Sequence, residues 1–267
     1  MSRLILPQAV RGFIACVGGR GFDEKKNVAD PVLRCFQAAY PDALTYFAAT
    51  RVDGDQTEEP SLVIDDGLVK SREQLFETPD LQDTLHWAYP IKKSIAPPPD
   101  GADPGRIRHM GLLKFLYGAD RKAVRKHLVD VRWLPGLSQR VIKFNGRHGA
   151  AAALQSVSDE LAQLPRKFHK YILKTNGTFN WRYIKGTTRL SAHAFAIAID
   201  LDIRHTDYWR WARDKQGRFK FRNRIPIEIV EVFEKNGFIW GGRWWHFDTM
   251  HFEYRPEFFE SECMAKR

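Results

Sequence analysis

The stretch SAHAFAIAID, residues 191–200, places His193 and Asp200 at the two ends of a run of small and branched apolar residues. Both are good metal ligands, and they stand seven positions apart. On a helix that spacing is nearly two turns and puts the two side chains on one face. On a strand the odd spacing puts them on opposite faces. The IAIDLDI half reads as a strand buried on both sides, so His193 belongs to the turn that leads into it and Asp200 points from the strand. A buried aspartate is costly without a cation or donors nearby. From this pair alone, a metal and an arginine partner both remain open.

A second cluster lies in WWHFDTMHFEY, residues 244–254, which carries His246, Asp248, His251 and Glu253 among aromatics. Two ligands close in sequence plus one distant ligand is a common way to build a zinc site, and three protein ligands leave a position open for water. In the DxxH pair Asp248 and His251, one residue can bind metal while the other reaches the water. Zinc lowers that water's pKa to roughly 7, and a neighbouring carboxylate accepts its proton. His246 is a rival ligand, although its indole and phenyl neighbours suit a packed core histidine equally well. Glu253 shares a strand face with His251 and could orient the imidazole or pair with a surface arginine.

These segments resemble a known family. SAHAFAIAID is similar to the SxHxxGxAxD signature of the peptidoglycan zinc peptidases. That family includes D-alanyl-D-alanine carboxypeptidases, VanY-like and vancomycin-resistance dipeptidases, and phage or sporulation L-alanyl-D-glutamate endopeptidases. DTMHFEY is similar to the family's closing (D/E)xxHFE element, and GTFNWRYIKGT, residues 177–187, to the segment where many members carry an arginine. The likeness runs from about residue 104 to 256. Residues 104–267 are therefore expected to form the catalytic domain and 1–103 an N-terminal extension of uncertain fold. One departure is Ala196, which replaces the usual glycine of HxxG. Alanine is expected there only if its φ is negative.

The resemblance implies zinc held by His193, Asp200 and His251, with Asp248 as general base where dipeptidase members have glutamate. Arg182 would hold the scissile carbonyl oxygen and the oxyanion that replaces it, since a fixed guanidinium stabilises developing negative charge. On its own residues, Arg182 could instead be a surface arginine stacked on Trp181. Ser191 resembles the serine that contacts substrate backbone, and could equally cap the adjacent turn. Tyr208, Trp240, Trp244 and Trp245 could wall a cleft or fill a core, and Asp202 could support the site or join a salt bridge. The implied substrate is the stem peptide of bacterial peptidoglycan, cut as a terminal D-Ala-D-Ala or at L-Ala-D-Glu. The former needs a cation for a free carboxylate, and Arg189, Arg204 and Arg243 are candidates. The implied fold is of the hedgehog/DD-peptidase type, which also admits a catalytically silent zinc-bearing binding module. Asp248 weighs against that alternative. The implied location is the periplasm, the cell envelope or outside the cell.

The elements that must position these residues read as α+β. VLRCFQAAY, 32–40, is a short helix candidate, and VDGDQTEEPSLVIDDG, 52–67, reads as turns with short strands. The segment IAPPPDGADPGR, 95–106, reads as a turn or linker. IRHMGLLKFLYGADRKAVRKHLVDV, 107–131, has helical periodicity broken near Gly118. Leu154, Val157, Leu161 and Leu164 make the stripe of a helix ending at Pro165. Another helix is expected from Pro226 to Asn236-Gly237, with Val230 and Phe233 inward. Strand-like pieces between and after these helices, without a βαβ rhythm, give α+β with a small antiparallel sheet flanked by helices.

A chain of 267 residues suits one large domain, or one domain with an extension. Its formal charge of +10 admits an anionic partner. The positive charges read as scattered, and the signatures of nucleic-acid binding are absent, so no nucleic acid is expected. No apolar run approaches the ~20 residues of a membrane span. Arg3, the LIL triplet and FIAC before Cys16 resemble a leader, but Pro7, Gln8 and Arg11 interrupt any apolar region. Cys16, Cys35 and Cys263 are far apart, which argues against a disulfide framework or a cysteine zinc site. One bridge plus a free thiol fits the count, and the sequence does not choose the pair. Nothing in it signals an oligomeric state.

Overall fold

The computed structural model describes residues 31–44 and 62–264, so the expectations for the leader, for Cys16 and for the 52–61 part of the 52–67 segment fall outside the described residues. Helix α1, Pro31–Ala39, takes up the VLRCFQAAY segment and buries Val32, Leu33, Cys35 and Phe36. Helix α2, Arg72–Glu77, opens on a capping box in which the Ser71 hydroxyl accepts from the Gln74 N–H while Ser71 N–H donates to the Gln74 side chain. Helix α3, Met110–Tyr117, is capped by Nδ1 of His109, which accepts from Leu112 N. Helix α4, Arg121–Lys126, is capped by Asp120. The expected break at Gly118 is present: its φ is +130° and an added Cβ would meet Val124 N at 2.7 Å.

The LVDV portion of that segment is not helical. It forms strand β1, Leu128–Arg132, paired antiparallel with β2, Val141–Asn145. Val131 is 1% exposed between exposed Asp130 and Arg132, the alternation of a strand with one wet face, while Val129, on the same face as Val131, lies out at the strand's start at 44%. Over four residues a helical stripe and this alternation look alike, and the pairing partner decides. Helix α5, Ala150–Ala162, packs against both strands and buries Leu154, Val157 and Leu161 completely, with Leu164 half-buried beyond it. Each such side chain contributes about 1.5–3 kcal/mol of transfer free energy.

The main sheet has four antiparallel strands: β3, Thr175–Gly177; β4, Ala198–Leu201; β5, Phe238–Trp240; and β6, His251–Tyr254. Their order is β3-β4-β6-β5, so the two central strands come from the two motif segments. Helix α6, Ile227–Lys235, begins after Pro226, buries Val230 and Phe233, and ends at Asn236 before Gly237 at φ +80°. Phe233 stacks on Phe252 of β6 at 3.8 Å between ring centroids. Ile199, Leu201 and Phe252 are wholly buried on the helix side of β4 and β6. The opposite face carries Ala198, Asp200, His251 and Glu253, because successive residues of a strand alternate sides. The molecule is α+β, helices around small antiparallel sheets.

The described residues ahead of α3 clasp this core. The strap around 89–105 is free of regular structure but not of contacts: Asp103 is wholly buried, and Arg243 donates to the carbonyls of Lys92 and Ser94. Helix α1 lies against the C-terminal helix α7, Ser261–Met264, and Cys35 is disulfide-bonded to Cys263 across 228 residues. Of the three cysteines, the bridge thus takes these two.

Candidate metal centre

His193 lies on a short 3-10 turn, Ala192–Phe195, that leads directly to β4. Its Nδ1 is 3.0 Å from the carbonyl oxygen of Thr178. A carbonyl only accepts, so Nδ1 carries the hydrogen and Nε2 keeps its lone pair. The turn then closes through Ala196, whose φ of +54° and ψ of 41° are left-handed. The expectation of a negative φ at that position is corrected: alanine bears a strain of roughly 1–2 kcal/mol there. Bonds on either side hold it, Ala196 N to His193 O and Asn145 N to Ala196 O, with the Asn145 amide donating to Phe195 O.

The register of the sheet does the rest. Asp200 on β4 is the direct antiparallel partner of His251 on β6, and directly opposed residues project to the same face. Asp200 Oδ1 lies 3.1 Å from His193 Nε2 and 3.1 Å from His251 Nδ1. One ligand atom from each of the three residues falls within 4.8 Å of the others. A four-coordinate zinc with bonds of about 2.0–2.2 Å holds its ligand atoms roughly 3.3–3.6 Å apart, so the set fits one ion. The chemistry fits too. His193 Nε2 is buried and has no hydrogen-bond partner, yet its lone pair faces a carboxylate oxygen. Two electron-rich atoms so placed repel unless a cation or proton lies between them.

The second imidazole is oriented from behind. His251 Nε2 is 3.2 Å from Glu253 Oε2. Glu253, wholly buried, receives both Nε and Nη2 of Arg108, the first at 2.8 Å. A carboxylate that fixes a ligand's ring is a common support for metal sites. Of the alternatives the sequence left open for Glu253, it combines both: it orients His251 and pairs with an arginine, though a buried one. Burial opposes ionisation of Glu253, but Arg108 and His251 hold its carboxyl well below the usual range. Burial likewise opposes the charged form of His251, yet its hydrogen bonds to Asp200 and Glu253 raise it to about 9. Asp200 is held well below the ordinary range by His193 and His251 against the effect of its burial.

Asp248 sits in the turn before β6, and its carbonyl accepts from His251 N at 3.2 Å. The close approach of its backbone requires Gly241, where a Cβ would meet Asp248 O at 2.4 Å. The side chain is half-buried, with Oδ1 inaccessible and without a hydrogen-bond partner. Burial, then the negative charge of Asp200, push its carboxyl up to about 6. That is a carboxylate poised to take up a proton near neutral pH.

Arg182 is exposed, and its guanidinium makes no hydrogen bond or ion pair among the described residues. Its carbonyl accepts from Ser191 N at 3.0 Å, which puts it across a hairpin neck from the His193 turn. Ser191 is buried at the head of that turn, and its hydroxyl does not cap it. His246 lies outside the ligand cluster, with Nδ1 2.8 Å from Asp103 Oδ2 and Trp209 edge-on against its ring. Asp202 is bonded to Arg204, Arg189 faces Glu77 at 3.1 Å, and Arg243 is buried against Glu234. Trp240 and Trp244 are core, Trp245 and Tyr208 half-buried. The sequence reading missed Arg108, Asp103 and the Thr178 carbonyl. Arg108 and Glu253 stand 145 positions apart, and no local spacing connects them.

Residues 185–254 match the family model described as D-alanyl-D-alanine carboxypeptidase. The matched span contains His193, Asp200, Asp248 and His251, and Arg182 lies three positions before it. The resemblance carried by the motifs therefore holds over this segment. The chain matches neither a curated protein nor a solved structure.

Proposed function

We propose that the chain is a zinc-dependent peptidase that hydrolyses a peptide bond in the stem peptides of bacterial peptidoglycan, with 104–267 as its catalytic unit and 1–103 an extension. The observation that carries this is the meeting of His193, Asp200 and His251 at one point next to the strained carboxylate of Asp248. In this reading His193 Nε2, Asp200 Oδ1 and His251 Nδ1 hold the ion, while Glu253 and Arg108 fix the His251 ring. When bound, zinc supplies Lewis acidity toward the carbonyl and the attacking water. Asp248 removes the proton from that water and returns it to the leaving amine. Arg182 balances the negative charge that grows on the carbonyl oxygen, and Ser191 contacts the substrate backbone. The unpartnered Asp248 favours an enzyme over a silent zinc-bearing module.

The match to carboxypeptidases favours removal of a terminal D-alanine over cleavage at L-Ala-D-Glu. The Cys35–Cys263 disulfide supports an oxidising location in the envelope or outside the cell. Among the described residues no helix is long and apolar enough to cross a membrane.

Metal content and mass analysis of muropeptides test the reading. The expected result is stoichiometric zinc that is lost in His251→Ala, together with stem peptides shortened by one alanine. Full activity in chelator-stripped protein would refute it.

A further inference from the structure

Beyond β4, residues 208–224, YWRWARDKQGRFKFRNR, hold seven Lys or Arg and one acidic residue. The segment is locally basic within a chain whose 42 Lys and Arg are otherwise scattered, and interleaved aromatics keep its cations apart as single residues along the sequence. The segment is stitched to the turn that carries Asp248. Trp209 N donates to Phe247 O at 2.9 Å, Thr249 N to Asp207 O at 2.9 Å, and Asp207 N to the Thr249 hydroxyl at 2.7 Å. Tyr208 and Asp248 face each other across an antiparallel bridge. Residues so opposed send their side chains to the same face, with Cβ atoms about 4.5–5.5 Å apart.

A cavity of ≈ 240 Å³ opens on this segment, lined by Ile203, Thr206, Tyr208, Trp211, Arg222 and Arg224 among others. Arg224 is already committed: it donates to Asp207, at 3.1 Å, and to the carbonyls of Arg204 and Thr206. Asp207, the one acid on the wall, is therefore neutralised. Arg222 is exposed and makes no hydrogen bond or ion pair among the described residues. Trp211 is 56% exposed and stands edge-on to Tyr208 at 5.4 Å. An uncommitted guanidinium, a phenol and an open indole thus share one concavity, one residue away from the base. Pockets for drug-sized ligands run to roughly 300–1,000 Å³, so this one suits a single residue better than a glycan unit.

We propose that this cavity is a subsite for a carboxylate-bearing residue of the peptide substrate, with Arg222 pairing the carboxylate and Trp211 covering its apolar stem. The assignment deepens the peptidase reading and rests on it for the identity of the peptide. It selects a cation for an anionic substrate group that the sequence did not single out.

The test uses one stem peptide in two forms, its carboxylates free or amidated, titrated against zinc-loaded protein with tryptophan fluorescence as the signal. Wild type is expected to bind the free acid more tightly. Arg222→Gln should weaken the free acid about tenfold, the scale of a charge-assisted hydrogen bond at a half-open site, and leave the amidated peptide unchanged. Trp211→Ala should weaken both forms. Equal binding of the two forms by wild type, no binding of either, or an unaltered Kd for the free acid in Arg222→Gln would overturn the subsite. Tight, Arg222-dependent binding by a wild type that cleaves neither form would leave the subsite standing and refute the peptidase reading instead.

Discussion

Asp248→Asn is expected to make the metal-free protein more stable and the enzyme nearly inactive. Burial and the adjacent negative charge of Asp200 push the Asp248 carboxyl from its ordinary 3.8 to about 6. A shift of that size corresponds to about 3 kcal/mol of unfavourable ionisation, and solvent on the open side screens part of it, leaving on the order of 1–3 kcal/mol. The folded state holds the proton more tightly than the unfolded one, so stability falls as pH rises from about 4 to about 6 and the full cost is present above that window. Asparagine carries no charge and escapes the cost. Urea unfolding in chelator should therefore show the variant more stable by about 1–3 kcal/mol at pH 7.5, with the difference vanishing near pH 4. With zinc restored, loss of the general base should lower kcat roughly 10²–10⁴-fold. An equal gain at both pH values, or none at pH 7.5, would show that Asp248 is not the strained carboxylate. Retained activity would remove it from the mechanism.

Metal binding should release about one proton at pH 7, because His251 keeps its proton up to about 9 in the metal-free protein and must lose it to ligate. Titration calorimetry in buffers of differing ionisation enthalpy measures this directly, and a zero count would exclude His251 Nδ1 as a ligand. Reduction of the bridge, or Cys35→Ser, should lower stability by about 2–5 kcal/mol, given the long loop it closes. Unfolding curves that coincide with and without reductant would contradict that.

The meeting of His193, Asp200 and His251, the proposed ligand set, was legible in the sequence because each half of it is local. The parity of a strand puts Asp200 and the core residues Ile199 and Leu201 on opposite sides, and the same parity sends His251 and Glu253 together. What joins the halves, the antiparallel pairing of β4 with β6, needed only the inference that both are strands. The support was not legible. Arg108 is buried by packing that no nearby residue announces, and Asp103 sits in a proline-rich stretch that looks like a spacer. Ala196 shows the reverse failure: a rule about left-handed backbone was sound as energetics, but neighbouring hydrogen bonds outweigh a strain of ~1–2 kcal/mol. LVDV misled because four residues are too few to separate two periods.

Behind His251 the charges continue inward: Arg255 lies 3.5 Å from Glu253 and also bonds Glu257, whose other oxygen receives the Tyr40 hydroxyl at 2.6 Å. Breaking such a buried series by removing one member costs about 3–5 kcal/mol. The signature-bearing stretch is consequently not a transplantable cassette. It borrows its counter-ions from Arg108 on one side and from the tail beyond Tyr254 on the other, and that tail leans on Tyr40, just past helix α1. Surveys that look only at the short signature will recognise the cluster and miss the scaffolding on which the proposed metal's grip would depend.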